Sequence, residues 1–305
     1  MPRSGNSFLG RGLSLEIAYI CRMKSIRILI MLGMLSGAAT TAEGQNSQLY
    51  LQKADSASLY IEKENWQEAE RVIREALRLE PANFNNSLLL NNLGRVMQQC
   101  GRDQEALENF DLALCLAPSN STIRYNRGVT LMSLGKYGEA ADDFTASLSN
   151  EGTRQGAMLM RGFCNAALGK RKEAREDFEG VLALDSENAD ALEGMADILL
   201  AEGDSATALE CLDKALAKRP SPELYLRAGS LQLSQDKQEN AAETIREGIA
   251  AYPEYGNLYL LRALLHQQRY QTAEMEADIR TGMGKGGDIS LFPGLDARKK
   301  RNVKK

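Results

Sequence analysis

Few residues in this chain have the type and spacing that chemistry requires. The single histidine, His266, has Gln267, Gln268 and Tyr270 as its near neighbours. A catalytic imidazole needs a nucleophile or an acid held at a fixed distance, and none of these side chains supplies one. The five cysteines, Cys21, Cys100, Cys115, Cys164 and Cys211, form no Cys-x-x-Cys pair and no Cys/His ligand spacing, so a zinc site is not expected. No serine elbow, phosphate loop or paired-histidine motif occurs. The sequence thus predicts no catalytic residue, no cofactor and no metal, which leaves recognition of a partner as the chemistry to look for.

What the sequence does carry is a period. From Ser87 to Pro220, four columns recur every 34 residues. Small residues stand at Gly94, Gly128, Gly162 and Ala196, and glycines at Gly101, Gly135, Gly169 and Gly203. Alanines stand at Ala106, Ala140, Ala174 and Ala208, and large apolar residues at Phe110, Phe144, Phe178 and Leu212. Such a repeat is one supersecondary unit copied along the chain. Within a unit, steps of three and four mark two helical faces. The glycine between them stops the first helix, because it takes a left-handed cap without steric cost. Pro81, Pro118, Pro220 and Pro253 fall just past the second helix, where proline prevents continuation. Each unit is therefore read as two antiparallel helices. The small column is expected where their backbones cross closely, with the Phe column filling the space beside.

These columns resemble the tetratricopeptide repeat, with Leu93-Gly94, Gly101, Ala106, Phe110, Ala113 and Pro118 as the fullest match. The resemblance implies an all-α fold: an α-α superhelix, a right-handed solenoid of about seven hairpins. The units run about 50–83, 87–120, 121–154, 155–188, 189–222, 222–255 and 256–289. The sixth is shifted by one residue and the seventh is degenerate. The resemblance also implies that first-helix residues line a concave groove holding a protein or peptide segment. The lining positions are Asn91, Arg95, Gln98, Tyr125 and Met132, then Asp190, Glu193, Asp197 and Leu200, then Leu260, Leu264 and Gln267. Some family members clamp a C-terminal carboxylate with a Lys/Asn/Asn/Lys/Arg set. Asn126 matches one of those positions, but Asn91, Arg95, Gly156 and Met160 replace the others, which puts that ligand in doubt. The trio Asp190, Glu193 and Asp197 suggests a basic or amide-rich ligand segment, or else a solvated acidic face.

Three units place an Arg and an Asp sixteen residues apart: Arg127 and Asp143, Arg161 and Asp177, Arg262 and Asp278. An ion pair joining the two helices of each unit is expected. Cys100 and Cys115 fall at opposite ends of one hairpin, on the order of 15–20 Å apart, beyond disulfide reach. Cys100, Cys115, Cys164 and Cys211 are expected to be free and mostly buried.

Residues 1–44 stand outside the array. Met23-Lys24-Ser25-Ile26-Arg27, the apolar run Ile28 to Leu35 and the small residues that follow have the layout of a secretory signal peptide. Translation is expected to start at Met23, with cleavage after Ala39, Ala42 or Gly44. The expected location is periplasmic or secreted, with anchoring through an uncleaved N-terminal segment as the alternative. Residues 290–305 form a C-terminal segment and tail, with six basic residues from Arg298 to Lys305. Ile289 to Leu295 is expected to fold against the apolar side of the last helix as a cap. From residue 43 to residue 297, 40 acidic residues face 26 basic ones. That excess disfavours nucleic acid as a partner of the array, and limits membrane contact to the leader or the basic tail.

Overall fold

In the computed structural model, residues 40–295 are described. The expected leader, start site and most of the basic tail lie outside them. The chain divides into two compact units, residues 1–164 and 165–305. Among the described residues the fold is all-α, with no strand. First helices are α1 (Thr40–Glu62), α3 (Asn86–Gln99), α5 (Ser121–Ser133), α7 (Glu151–Ala167), α9 (Ala189–Glu202), α11 (Pro222–Ser234) and α13 (Gly256–Gln268). Second helices are α2 (Trp66–Leu79), α4 (Asp103–Leu116), α6 (Tyr137–Ser147), α8 (Arg171–Leu184), α10 (Ser205–Lys218), α12 (Gln238–Ala251) and α14 (Thr272–Gly284). A 3-10 turn, Ile289–Leu291, follows.

Local chemistry sets these boundaries. Asn120 and Asn188 cap α5 and α9 by accepting from the N–H groups of Ile123 and Ala191 at 3.1 and 3.0 Å. Ser221 caps α11 with Pro222 in its first turn. Pro81, Pro118, Pro220 and Pro253 each stand two residues past a second helix. The column Gly101, Gly135, Gly169 and Gly203 has φ of 69, 73, 74 and 86°, the left-handed turn that the sequence predicts. The equivalent turns elsewhere hold Glu64, Asp236 and Tyr270 at φ of 53, 59 and 60°. The turn conformation is thus kept in all seven hairpins, and three of them force it on a residue with a Cβ.

Packing follows the repeat. In the first unit α1 pairs with α2, α3 with α4 and α5 with α6, while α2 meets α3 and α4 meets α5. In the second, α9–α10, α11–α12 and α13–α14 pair, and each first helix meets the second helix before it. Phe110, Phe144, Phe178 and Leu212 are completely buried, as are Ala106, Ala140, Ala174 and Ala208. One expectation needs correction. At Gly94 and Gly128 the close neighbour is an aromatic ring and not the backbone of the paired helix. A Cβ on Gly94 would lie 2.7 Å from the Phe110 ring, and one on Gly128 would lie 2.9 Å from Phe144. The missing side chain makes room for an aromatic ring instead.

The array's C-terminal end is closed by its own chain. Buried residues recur through the first helices as Leu89, Ile123, Ala157, Ala191, Leu224 and Leu258, and Phe292 continues that column one period further. Phe292 and Leu295 are 5% and 3% exposed and share a core with Leu260, Leu261, Ala263 and Leu265. Gln267 Nε2 donates to the Gly294 carbonyl at 3.1 Å, and the Asp288 N–H donates to Asn257 Oδ1 at 2.8 Å. The expected cap is present, and its polar anchors are on α13, not on the last helix. Gly282 is buried within α14, where a Cβ would lie 2.8 Å from the Gly256 carbonyl.

Candidate partner-binding faces

In the first unit the predicted lining residues form a polar ladder. Asn126 Nδ2 on α5 donates to Asn91 Oδ1 on α3 at 2.8 Å. Gln98 Nε2 donates to Thr130 Oγ1 at 2.7 Å and to the Asn126 carbonyl at 3.2 Å. The Asn–Asn pair leaves one amide acceptor and further N–H donors uncommitted, the complement of a peptide backbone. Arg95 is exposed and makes no hydrogen bond or ion pair among the described residues. Tyr125 meets the Phe144 ring edge-on with centroids 5.6 Å apart, and burial raises its phenol pKa. Met132 packs half-buried beside that core.

In the second unit the acidic trio is not free. Arg219 Nη2 reaches Asp190 at 2.7 Å and Glu193 at 2.8 Å. Arg227 Nη1 reaches Glu193 at 3.4 Å, and Arg227 Nη2 pairs with Asp197. Two guanidinium groups thus face three carboxylates, which leaves the face far less negative than the trio alone implies. Burial raises the Asp197 pKa, Arg227 opposes that rise and Glu193 adds to it. Arg219 and Arg227 escape a reading of first-helix positions alone. The last hairpin's lining is also occupied. Leu260 is buried and Gln267 is bonded to the C-terminal segment.

Beneath these faces lie two of the expected ion pairs. Arg127 forks onto Asp143, and Arg262 onto Asp278 at 2.6 and 2.7 Å. His266 Nε2 stands 3.4 Å from Asp278, so it belongs to this structural cluster. Arg161 and Asp177 fall on either side of the division between the units. Within its own unit Arg161 donates to Thr145 Oγ1 at 3.1 Å, and Asp177 accepts from Asn165 at 3.1 Å. Among the cysteines, Cys164 is buried, and burial pushes its thiol up to about 11. Cys100 and Cys211 are free, but Cys100 is exposed, contrary to the expected burial. Cys115 is not a free thiol, contrary to the expectation. No group of three His, Cys, Asp or Glu side chains among the described residues has the arrangement of a metal site.

Tetratricopeptide-repeat family models match residues 55–86 and 165–232. Both matches fall on the hairpins just described. The hairpins in these two stretches match the tetratricopeptide repeat. A TPR repeat-containing protein of Pseudomonas aeruginosa is 38% identical over 97 residues, 31% of this chain. That match spans only 16% of the relative's own length. A solved tetratricopeptide repeat protein from Parabacteroides merdae superposes with a TM-score of 0.62 at 25% identity, over 81% of this chain and 97% of its own. YrrB, described as a TPR protein with an unusual peptide-binding site, superposes with a TM-score of 0.53 at 24% identity, over 64% and 98% of the two chains. The likeness to YrrB is one of fold.

Proposed function

We propose that this chain is an exported, non-catalytic scaffold whose first-helix faces hold a protein or peptide segment. Tetratricopeptide repeats are an interaction fold, and fold alone does not identify a ligand. The observation that carries the reading is the Asn91–Asn126 pair at 2.8 Å. Two amides on successive first helices, Asn126 half-buried and Asn91 only 8% exposed, keep unused hydrogen-bonding capacity near Tyr125 and the exposed Arg95. Asp190, Glu193 and Asp197, held in shape by Arg219 and Arg227, offer a second, nearly charge-balanced surface. Export rests on the layout of residues 23–44, with a periplasmic or secreted location, or an anchored one if the leader is kept.

A second reading has its own observation. Leu116 and Leu184 end the second helices α4 and α8 and are 52% and 63% exposed. Such side chains suit a structural component of an envelope assembly that works through second-helix surfaces. Proximity labelling in the exporting cell separates the two. Loss of the labelled partners with Asn91→Ala/Asn126→Ala, and retention with Leu116→Ser/Leu184→Ser, supports the groove. The reverse pattern supports the assembly reading.

A further inference from the structure

The first unit's lining changes character toward its N-terminal lip. Leu51 on α1 and Leu88 on α3 hold equivalent positions in successive first helices, and they are 58% and 55% exposed. The two helices meet there, since Tyr50 Oη donates to Asn86 Oδ1 at 3.2 Å. Phe84, in the turn that leads into α3, is 82% exposed. A leucine or phenylalanine left in water costs stability that burial would recover, and three neighbouring ones form a patch of the kind that marks an interaction surface. Seven residues along α3 from Leu88 stands Arg95. It is the one charged residue among the predicted lining positions of this unit, and no described carboxylate neutralises it. A lone cation on an uncharged face, within an acidic chain, selects for a negative group.

Two turns of helix separate Leu88 from Arg95, about 10 Å along the axis. An extended chain covers that distance in about three residues. Resting on the groove reading, we infer that the first unit recognises an extended protein segment with a bulky apolar side chain and a carboxylate side chain three residues apart. The apolar group seats against Leu51, Phe84 and Leu88, the carboxylate meets Arg95, and the half-buried Asn126 amide, held by the buried Asn91, bonds the backbone between them. The acid belongs to a side chain, because Gly156 and Met160 provide no second cation for a chain terminus.

The test is display selection on the full chain, using random twelve-residue peptides with amidated C-termini. The wild-type chain is expected to enrich peptides with Phe, Leu or Trp three residues from Asp or Glu, at least tenfold over the library. Arg95→Glu is expected to abolish the acidic preference while the apolar one remains. Leu88→Asp is expected to abolish the apolar preference. Both positions are exposed, so the variants keep the fold, and far-UV circular dichroism checks that. Enriched peptides that ignore both variants yet are lost with Met132→Asp or Leu200→Asp overturn this assignment and leave the groove reading standing. A selection that enriches no peptide overturns both.

Discussion

Arg127 donates through Nε and Nη2 to the two carboxylate oxygens of Asp143, at 2.7 and 2.8 Å, while its third nitrogen reaches Asp111 at 2.7 Å. One guanidinium therefore ties the two helices of its own hairpin and the second helix of the hairpin before it. The next repeat uses the same offset, with Arg161 donating to Thr145. The Asp143 side chain is only 3% exposed. Burial opposes the charge on Arg127, but hydrogen bonds and attraction from Asp143 and Asp111 outweigh it and leave its pKa raised.

This geometry predicts unequal losses. Arg127→Met strands a buried carboxylate with only Arg124 at 3.3 Å, and should cost about 3 kcal/mol. Asp143→Leu leaves Arg127 with Asp111 and should cost about half of that. The double variant should recover part of the Arg127→Met loss, since it removes both buried charges. Urea unfolding midpoints of the three variants measure the order.

Acid should loosen the first hairpins through Glu70. Burial alone would raise its pKa, but hydrogen bonds from Arg102 and Arg74 lower it below the ordinary 4.5. A depressed carboxylate contributes stability that is complete above the unfolded value and is lost as pH falls through the folded one. The Tm advantage of the wild-type chain over Glu70→Gln should therefore be constant from pH 7 to about 5 and shrink toward pH 3. A gap that widens on acidification would contradict the assignment.

The seven left-handed turns give a prediction in both directions. Glu64 and Tyr270 adopt φ of 53 and 60° against the preference of a residue with a Cβ, at a cost of about 1 kcal/mol each. Glu64→Gly and Tyr270→Gly should each recover about that amount, and Gly203→Ala should lose it. Thermal melts of the single variants decide. Tyr270 is 90% exposed, so no packing change obscures its result.

The glycine that makes room for a ring predicts a compensating pair. Gly94→Ala places a methyl 2.7 Å from the Phe110 ring, and should cost about 1–3 kcal/mol by overpacking. Adding Phe110→Leu should restore part of that loss. If the pair is purely additive in chemical denaturation, the glycine serves some other contact.

What the sequence made legible, and what it hid, follows from how each feature is encoded. A glycine announces a left-handed turn, so Gly101 to Gly203 were readable, whereas Glu64, Asp236 and Tyr270 adopt it under tertiary constraint and carry no local mark. Arg127 and Asp143 were readable because two other units share their spacing. Arg219 was not, since it stands in a connection outside the repeat columns and meets Asp190 only after α9 and α10 pack. That Leu260 and Gln267 are occupied by Phe292 and Gly294 was not legible, because the covering segment follows a glycine-rich stretch. The register, continued one more period from Leu258, would have found it. The Asn91–Asn126 contact was hidden because it joins different positions of two successive first helices, 35 residues apart.

The central claim is that first-helix faces, and not second-helix surfaces, meet the partner. Photo-crosslinking tests it most directly, with a benzophenone amino acid placed at Arg95 on α3 or at Glu108 on α4 in the cell that makes the protein. Crosslinked protein partners should form from position 95 and be absent from position 108. Crosslinks from position 108 with none from position 95 would contradict the claim.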